Sequence, residues 1–317
     1  YFKTLCVIIM ELRVLKYFLA VVREGSITAA ANALHLTQPT LTRQLQDLEY
    51  ELQQKLFVRG KYKITLTQEG IFLKERAEEI IELADKTKKD ILSSNEDIRG
   101  DVYIGGGETE AMHYIAEVIK DIQSSHSHIT FHLYSGNAED VIEKLNKKLL
   151  DFGLLIHMAD TARYDSLVLP VKDTWGVLMR KDAPLAKNKT VTRKDLENLP
   201  LINSQQAIKK SLNNKFIKWF GGEFDNLNTV ATYNLVYNAS ILVKTGVGYA
   251  VTLAKLVDTS SESILCFRPL EPKLEANLNI IWNKFHIQSA AAKLFLLKLQ
   301  EKIKNETQNI NCRGECK

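Results

Sequence analysis

The chain has 317 residues, 45% of them hydrophobic and 25% charged, with 42 Lys/Arg against 38 Asp/Glu for a net charge of +4. These are the fractions of a soluble globular protein, and the length exceeds one small module and suffices for two or three domains with cores of their own. No apolar run approaches the ~20 residues of a membrane span, and so small a charge excess proves nothing by itself about nucleic acid. Leu5-Cys6-Val7-Ile8-Ile9-Met10 is apolar but short and no small-residue cleavage site follows it, so no signal peptide is expected; Met10 is read as the natural start and residues 1–9 as an extension. Of four cysteines, only Cys266 lies in the body of the chain. That usage points to a reducing cytosol, no disulfide framework and a cytoplasmic protein.

In chain order, Ser26 to Leu45 reads as two short helices joined by a tight turn. The first, Ala29 to Leu34, is Ala-rich and can approach another helix closely. Thr37 offers a hydroxyl N-cap to the second, with Pro39 in its first turn, where a missing N–H costs nothing. On a helical wheel, Leu45 and Leu48 fall within about 40° of Leu41, while Pro39, Thr42, Arg43 and Gln46 fall on the opposite face at roughly 100–200°. A helix that buries leucines and presents Thr, Arg and Gln near its N-terminus suits base-edge and phosphate contacts. By itself the pattern also fits an ordinary two-helix hairpin with a solvated outer face.

Next come Leu56-Phe57-Val58-Arg59, a polar turn Gly60-Lys61-Tyr62-Lys63, and Ile64-Thr65-Leu66-Thr67, whose alternation predicts a short half-buried strand. The hairpin is a basic wing: Arg59, Lys61 and Lys63 can neutralise phosphates or enter the minor groove. Residues 10–67 hold eight Lys/Arg against five Asp/Glu, most of the excess of the whole chain.

Residues 10–70 resemble the winged helix-turn-helix of LysR-type transcriptional regulators. The resemblance rests on Met10-Glu11-Leu12-Arg13, Phe18, Ser26, the Ala-Ala before Leu34, Thr37-Gln38-Pro39, Thr42-Arg43-Gln44, and Leu56-Phe57-x-Arg59 with Leu66-Thr67-x-x-Gly70, all in order. It implies DNA binding through Gln38, Pro39, Thr40, Thr42, Arg43 and Gln46, with Arg59, Lys61 and Lys63 on the backbone or minor groove. One departure is Tyr62, where the family's wing usually carries a second Arg; the flanking lysines supply charge but not a bidentate fork.

From Ile71 to Ile98 there is neither Pro nor Gly. Leu73, Ala77, Ile80, Ala84, Thr87, Ile91 and Ile98 follow a heptad-like seam flanked by Lys74, Glu75, Glu78, Glu82 and Lys86, which reads as a dimerisation helix of about 40 Å. A helix lying on this chain's other domain is the alternative. The resemblance implies the same dimerising role, which would place two recognition helices on two half-sites. Arg99-Gly100-Asp101 marks the boundary.

The rest alternates strands and helices. Val102–Ile104, Ile129–Tyr134 and Asp151–Ile156 are predicted strands, with helices over 111–123 and 138–148. Trp175–Met179, Leu201-Ile202, Val247–Val251 and Asn277–Trp282 are further strands. Helices are predicted near 207–220, from Tyr233 to Gly246, and over 289–304, with a loop at 182–186. The pattern predicts an α/β domain with a mostly parallel sheet and helices outside. Its order, and the segment Thr245-Gly246-Val247-Gly248-Tyr249-Ala250, resemble the family's effector domain, built like a type 2 periplasmic binding protein. Ala254 stands where the family usually has Pro. The expected layout is a winged helix-turn-helix at 10–67, a linker helix at 68–99, and an effector domain at 100–307. Within the last, residues 100–170 and 271–307 form subdomain I and residues 171–270 subdomain II.

A cleft between the subdomains is the natural small-molecule site. Gly107, Glu108, Thr109, Ser135, Gly136 and Ser204 are expected to line it, with Tyr233, Asn234 and Gly246 on the far wall. Free helix-terminal N–H groups there would bind an anion. Glu108 and Glu110 either cap the nearby helix electrostatically or point into the cleft, where they would suit a cationic or polar effector. Gly105-x-Gly107-x-x-Glu110 lacks the third glycine of a dinucleotide fingerprint. His126, His128 and His132 read as a turn and strand edge rather than a metal site, and Cys312-x3-Cys316 lacks a second ligand pair. No hydrolase motif is present. The expected protein is a ligand-responsive, non-enzymatic regulator that binds operator DNA as a homodimer or homotetramer. It would need no cofactor beyond an unidentified effector, would contact RNA polymerase, and would leave membranes alone. A solute-binding or enzyme-like α/β protein whose N-terminal helices serve only assembly is the competing class.

Overall fold

A computed structural model describes residues 10–59, 64–92, 98–156, 162–208, 215–221, 227–286 and 288–314. The chain divides near residue 92 into two compact units.

The N-terminal unit begins with α1 (Leu12–Glu24), which ends at Gly25 in the left-handed conformation (φ 65°), its N–H donating to the Val21 carbonyl. That φ favours glycine, so Gly25 sets the sharp exit. Ser26 then caps α2 (Ile27–Ala33) by accepting from the Ala29 N–H, and Thr37 caps α3 (Gln38–Leu52) by accepting from the Thr40 N–H. Strands β1 (Phe57–Arg59) and β2 (Ile64–Leu66) pair antiparallel, with Phe57 opposite Leu66. The Thr67 hydroxyl accepts from the Gly70 N–H and so starts α4 (Gln68–Leu92). A Cβ at Gly70 would lie 2.1 Å from the Leu56 carbonyl oxygen, so only glycine allows this approach of helix to strand. Leu15, Phe18, Val21, Ala30, Ala31, Leu41, Leu45, Leu48 and Leu56 form the core, and the two alanines let α2 seat closely.

The expected dimer seam on α4 is partly used at home. Leu73 and Ala77 are buried in this same core, with Ile80 and Ile81 packed against it, and Lys16 on α1 pairs with Asp85 at 3.0 Å. Over two turns a 3.5-residue and a 3.6-residue period coincide, so spacing alone could not tell a partner helix from α1. Farther along the seam, Ala84 is half-buried and Thr87 exposed. The side chain of Ile91 and residues 93–97 lie outside the described residues.

The second unit opens with β3 (Gly100–Gly106), α5 (Met112–Ser125), β4 (Ile129–Ser135), α6 (Ala138–Asn146) and β5 (Phe152–Leu155). Then follow the 17-residue β6 (Tyr164–Arg180), a 3₁₀ turn (Pro184–Lys187), β7 (Val191–Thr192), α7 (Arg193–Leu196), β8 (Leu201–Ser204), α8 (Lys215–Trp219) and β9 (Thr229–Tyr233). It ends with α9 (Val236–Lys244), β10 (Tyr249–Leu253), β11 (Leu265–Glu271), β12 (Glu275–Asn283) and α10 (Ala290–Gly314). The strands run in the order β4-β3-β5-β12-β6-β10-β8-β9, with β11 on β6 and β7 on β11. Two parallel triplets, β4-β3-β5 and β9-β8-β10, flank β12 and β6, which meet all their neighbours antiparallel. The sheet is therefore mixed rather than mostly parallel, because the late return strand β12 and the long crossing strand β6 each run against the triplet they border and against one another.

Two cores result. One, with Ile104, Ile115, Phe152, Leu169, Leu278 and Phe295, belongs to subdomain I; the other, with Trp175, Val177, Phe216, Val251, Leu274 and Ala276, to subdomain II. Leu274 and Ala276 move the second crossing from the expected 271 to about 277. Ile156 packs against both cores. Other corrections concern ends. Tyr233 closes β9 rather than opening a helix, residues 207 and 208 are turn rather than helix, α6 stops at Asn146, and α10 passes 307 to reach Gly314. The first half of β6 and strands β7, β9 and β11 escaped the sequence reading. β9 is a largely exposed edge strand, and β11 carries Pro269, which argues against a strand.

Candidate functional site

The first candidate site is the outer face of α3. Capping by Thr37 leaves the remaining N–H groups of the first turn directed outward, the positive end of the helix dipole. Gln38, Pro39, Thr40, Arg43 and Gln46 are exposed and Thr42 is half-buried, opposite the buried Leu41, Leu45 and Leu48. The Gln38 amide donates to the Thr42 hydroxyl at 2.9 Å, and the Thr37 and Thr40 hydroxyls lie 2.7 Å apart. Two of the expected base readers are thus held in register before any DNA arrives. Arg43 is 84% exposed with Asp47 4.0 Å away, so its guanidinium is available. Arg59 enters the wing on β1, opposite Ile64. Its side chain, and Lys61 and Lys63, lie outside the described residues.

Sequence reading missed Glu49, which joins this face to the wing. Its Oε1 accepts from the Leu56 N–H (2.8 Å) and the Phe57 N–H (3.3 Å), and Oε2 from the Lys55 ammonium (2.8 Å). Burial pushes its pKa up, but Lys55 and the two N–H groups outweigh that and hold it below the ordinary 4.5. Since the folded pKa is the lower one, the carboxylate's contribution is complete above about 4.5 and is lost as pH falls through the folded value. Glu49→Gln should therefore cost about 1–2 kcal/mol at pH 7, and the gap to wild type should narrow as the pH of denaturant titrations is taken below the ordinary 4.5. An unchanged gap would show that the charge is idle.

The second candidate site is a cavity of about 310 Å³ between the subdomains. It gathers the carboxyl ends of β3, β4 and β8 and the amino end of α9, where an open α/β sheet places ligands. Of the expected residues, Gly107, Glu108, Ser135, Gly136, Ser204, Tyr233 and Asn234 line it. Two do not. Thr109 is buried beside it, its hydroxyl donating to Asp173 and accepting from the Ala111 N–H. Gly246 sits at the far end of α9 at φ 85°; a nine-residue helix is about 13 Å long, so both its ends cannot face one small cavity. Tyr134, Asn137, Asp140, Trp175, Gln205, Gln206 and Thr252 were missed. Gln205 and Gln206 follow Ser204 past a strand end and were findable by the same rule; Trp175 and Thr252 reach the cleft only through the antiparallel β6–β10 pairing.

Glu108 is the decisive side chain. Its Oε2 accepts from the Val236 N–H at 2.5 Å, so a carboxylate of subdomain I occupies the amino end of α9 in subdomain II. Glu110 turns away to Lys255 (3.5 Å) and His113 (3.9 Å). The Tyr233 hydroxyl donates to the Val251 carbonyl at 2.9 Å; burial, with the charge of Glu108 adding, pushes its pKa up. Burial likewise raises that of Asp173, against the pull of the Thr109 hydroxyl.

Residues 12–71 match the model described as "Bacterial regulatory helix-turn-helix protein, lysR family", and residues 95–304 that described as "LysR substrate binding domain". The chain belongs to the LysR family. It is similar to the HTH-type transcriptional regulator BsdA of Bacillus subtilis (30% identical, 69% of this chain, 74% of BsdA). It is also similar to the Hca operon transcriptional activator HcaR of Escherichia coli (28% identical, 94% and 100% covered). Among solved structures, full-length CbnR complexed with its target DNA shares the fold at TM-score 0.74 and 21% identity, covering 92% of this chain and 99% of CbnR. This LysR-type protein is thus a DNA-binding transcription regulator carrying a substrate-binding domain, and its N-terminal helices are more than an assembly device. Among the described residues no helix is long and apolar enough to cross a membrane.

His132 pairs with Asp101 at 3.1 Å and stacks on Tyr103, and His126 accepts or donates with Ser125. Cys266 is free and buried. Cys312 falls within α10, and Cys316 lies outside the described residues.

Proposed function

We propose that this LysR-family regulator binds an inverted-repeat operator as a homodimer, or as a homotetramer of such dimers, and responds to a small molecule held between its subdomains. The observation that carries the reading is the exposed, internally braced face of α3, on which Gln38 and Thr42 are already hydrogen-bonded. Gln38, Pro39, Thr40, Thr42, Arg43 and Gln46 enter the major groove, and Arg59, Lys61 and Lys63 take the backbone or minor groove. That CbnR has been seen with its target DNA supports the same use of this fold. The part of α4 beyond Ile80 pairs with its counterpart, and effector binding alters how the paired DNA-binding units are presented to RNA polymerase.

The protein acts in the cytoplasm, performs no catalysis and needs no cofactor besides the effector. Gel retardation with DNA flanking its own gene tests the operator reading: no shifted band at low salt would overturn it. Lys63→Ala should weaken binding evenly across sequences and lower the salt slope by about one, read from retardation at several salt concentrations.

A further inference from the structure

Resting on the reading of the inter-subdomain cavity as the effector site, we infer that its effector carries a positively charged amine, held between the carboxylates of Glu108 and Asp140. A helix amino end in such a cleft is ordinarily the place for a ligand anion. Here that place is taken from within, because Glu108 accepts from the Val236 N–H at the head of α9. Asp140, the second carboxylate lining the cavity, accepts from the Asn137 N–H at 3.4 Å in the capping box of α6. Each carboxylate has about four acceptor sites, so both retain lone pairs for a further donor.

Among the described residues that line the cavity there is no Lys, Arg or His. Two basic groups close by are engaged, Lys144 over the Tyr134 ring at 4.8 Å and Lys255 with Glu110 at 3.5 Å, while Lys215 lines the adjoining hollow that shares Ile156, Trp175, Ser204 and Gln206 with the cavity. Asp173, behind Thr109, adds to the negative field. An anion entering this cavity would meet like charge and, among its described lining residues, no cation, whereas an ammonium group would meet two carboxylates and the indole ring of Trp175. Such a group adds to the Glu108–Val236 hydrogen bond instead of competing with it, so binding holds the two subdomains together.

Matched pairs of equal skeleton and opposite charge test this on the full chain: benzylamine against benzoate, and 1,4-diaminobutane against succinate, by thermal shift and calorimetry. The amine of at least one pair should raise the melting temperature and bind at least about tenfold more tightly than its carboxylate. Glu108→Gln should erase that preference. Asp140→Asn, which leaves the inter-subdomain hydrogen bond in place, should weaken it independently should the first variant fold poorly. A carboxylate that binds as well as its amine overturns the charge assignment but leaves the cleft as the site, provided Ser204→Trp, which fills the cavity, abolishes that binding. Amine binding that survives Ser204→Trp removes the cleft reading itself. No binding by any of the four overturns the ammonium site.

Discussion

Phe152→Ala is expected to destabilise the C-terminal unit by about 3–5 kcal/mol, the largest effect of any single truncation considered. Phe152 is fully buried on β5, with the Phe295 ring 5.0 Å and the Trp282 ring 6.4 Å from its own. Phe295 in turn meets Phe131 at 5.9 Å, so one side chain ties β5, β12, β4 and α10 together. The ring neighbours are themselves bulky and seated in helix and sheet, and cannot collapse into the space left. In calorimetry the transition of the C-terminal unit should fall by roughly 6–20 °C, while that of the N-terminal unit, which has a separate core, stays in place. Because β5 runs directly into Ile156, which lines the cleft and touches both cores, ligand-induced stabilisation should weaken as well. A shift under about 1 kcal/mol would mean that the aromatic cluster repacks freely.

Arg43→Ala is expected to reduce discrimination at the base it reads by about 1–3 kcal/mol. The side chain is exposed and Asp47 lies 4.0 Å away, so its loss should leave folding nearly unchanged. The effect on DNA is therefore separable from stability. Competition binding against operators altered at single positions would show preference relaxed at one position and kept at the others. A preference profile identical to wild type would remove Arg43 from the readers. Lys63→Ala, by contrast, should scale all sequences equally, since a phosphate contact carries no base identity.

Local chemistry was legible without coordinates wherever one segment contained the whole reason. The Thr37 cap and the leucine stripe of α3 each depend on residues close in the chain, and each stands where the pattern put it. The cleft was half legible: strand carboxyl ends pointed to Ser135, Gly136 and Ser204, but Trp175 and Thr252 arrive from strands brought together only by antiparallel pairing. The seam on α4 was legible as apolar, but its first positions were assigned to the wrong partner, since Leu73 and Ala77 face α1 and its neighbours in their own unit.

The amino-acid sequence by itself determined the kind of protein: a winged helix-turn-helix ahead of a two-part α/β domain, because caps, periodicity and turn residues act over a few positions. Tertiary structure alone decided the sign of the cleft. Glu108 and Val236 are 128 residues apart, and whether a carboxylate caps its own helix or the amino end of α9 in the facing subdomain depends on how two separately packed cores meet. No spacing rule along the chain contains that distance.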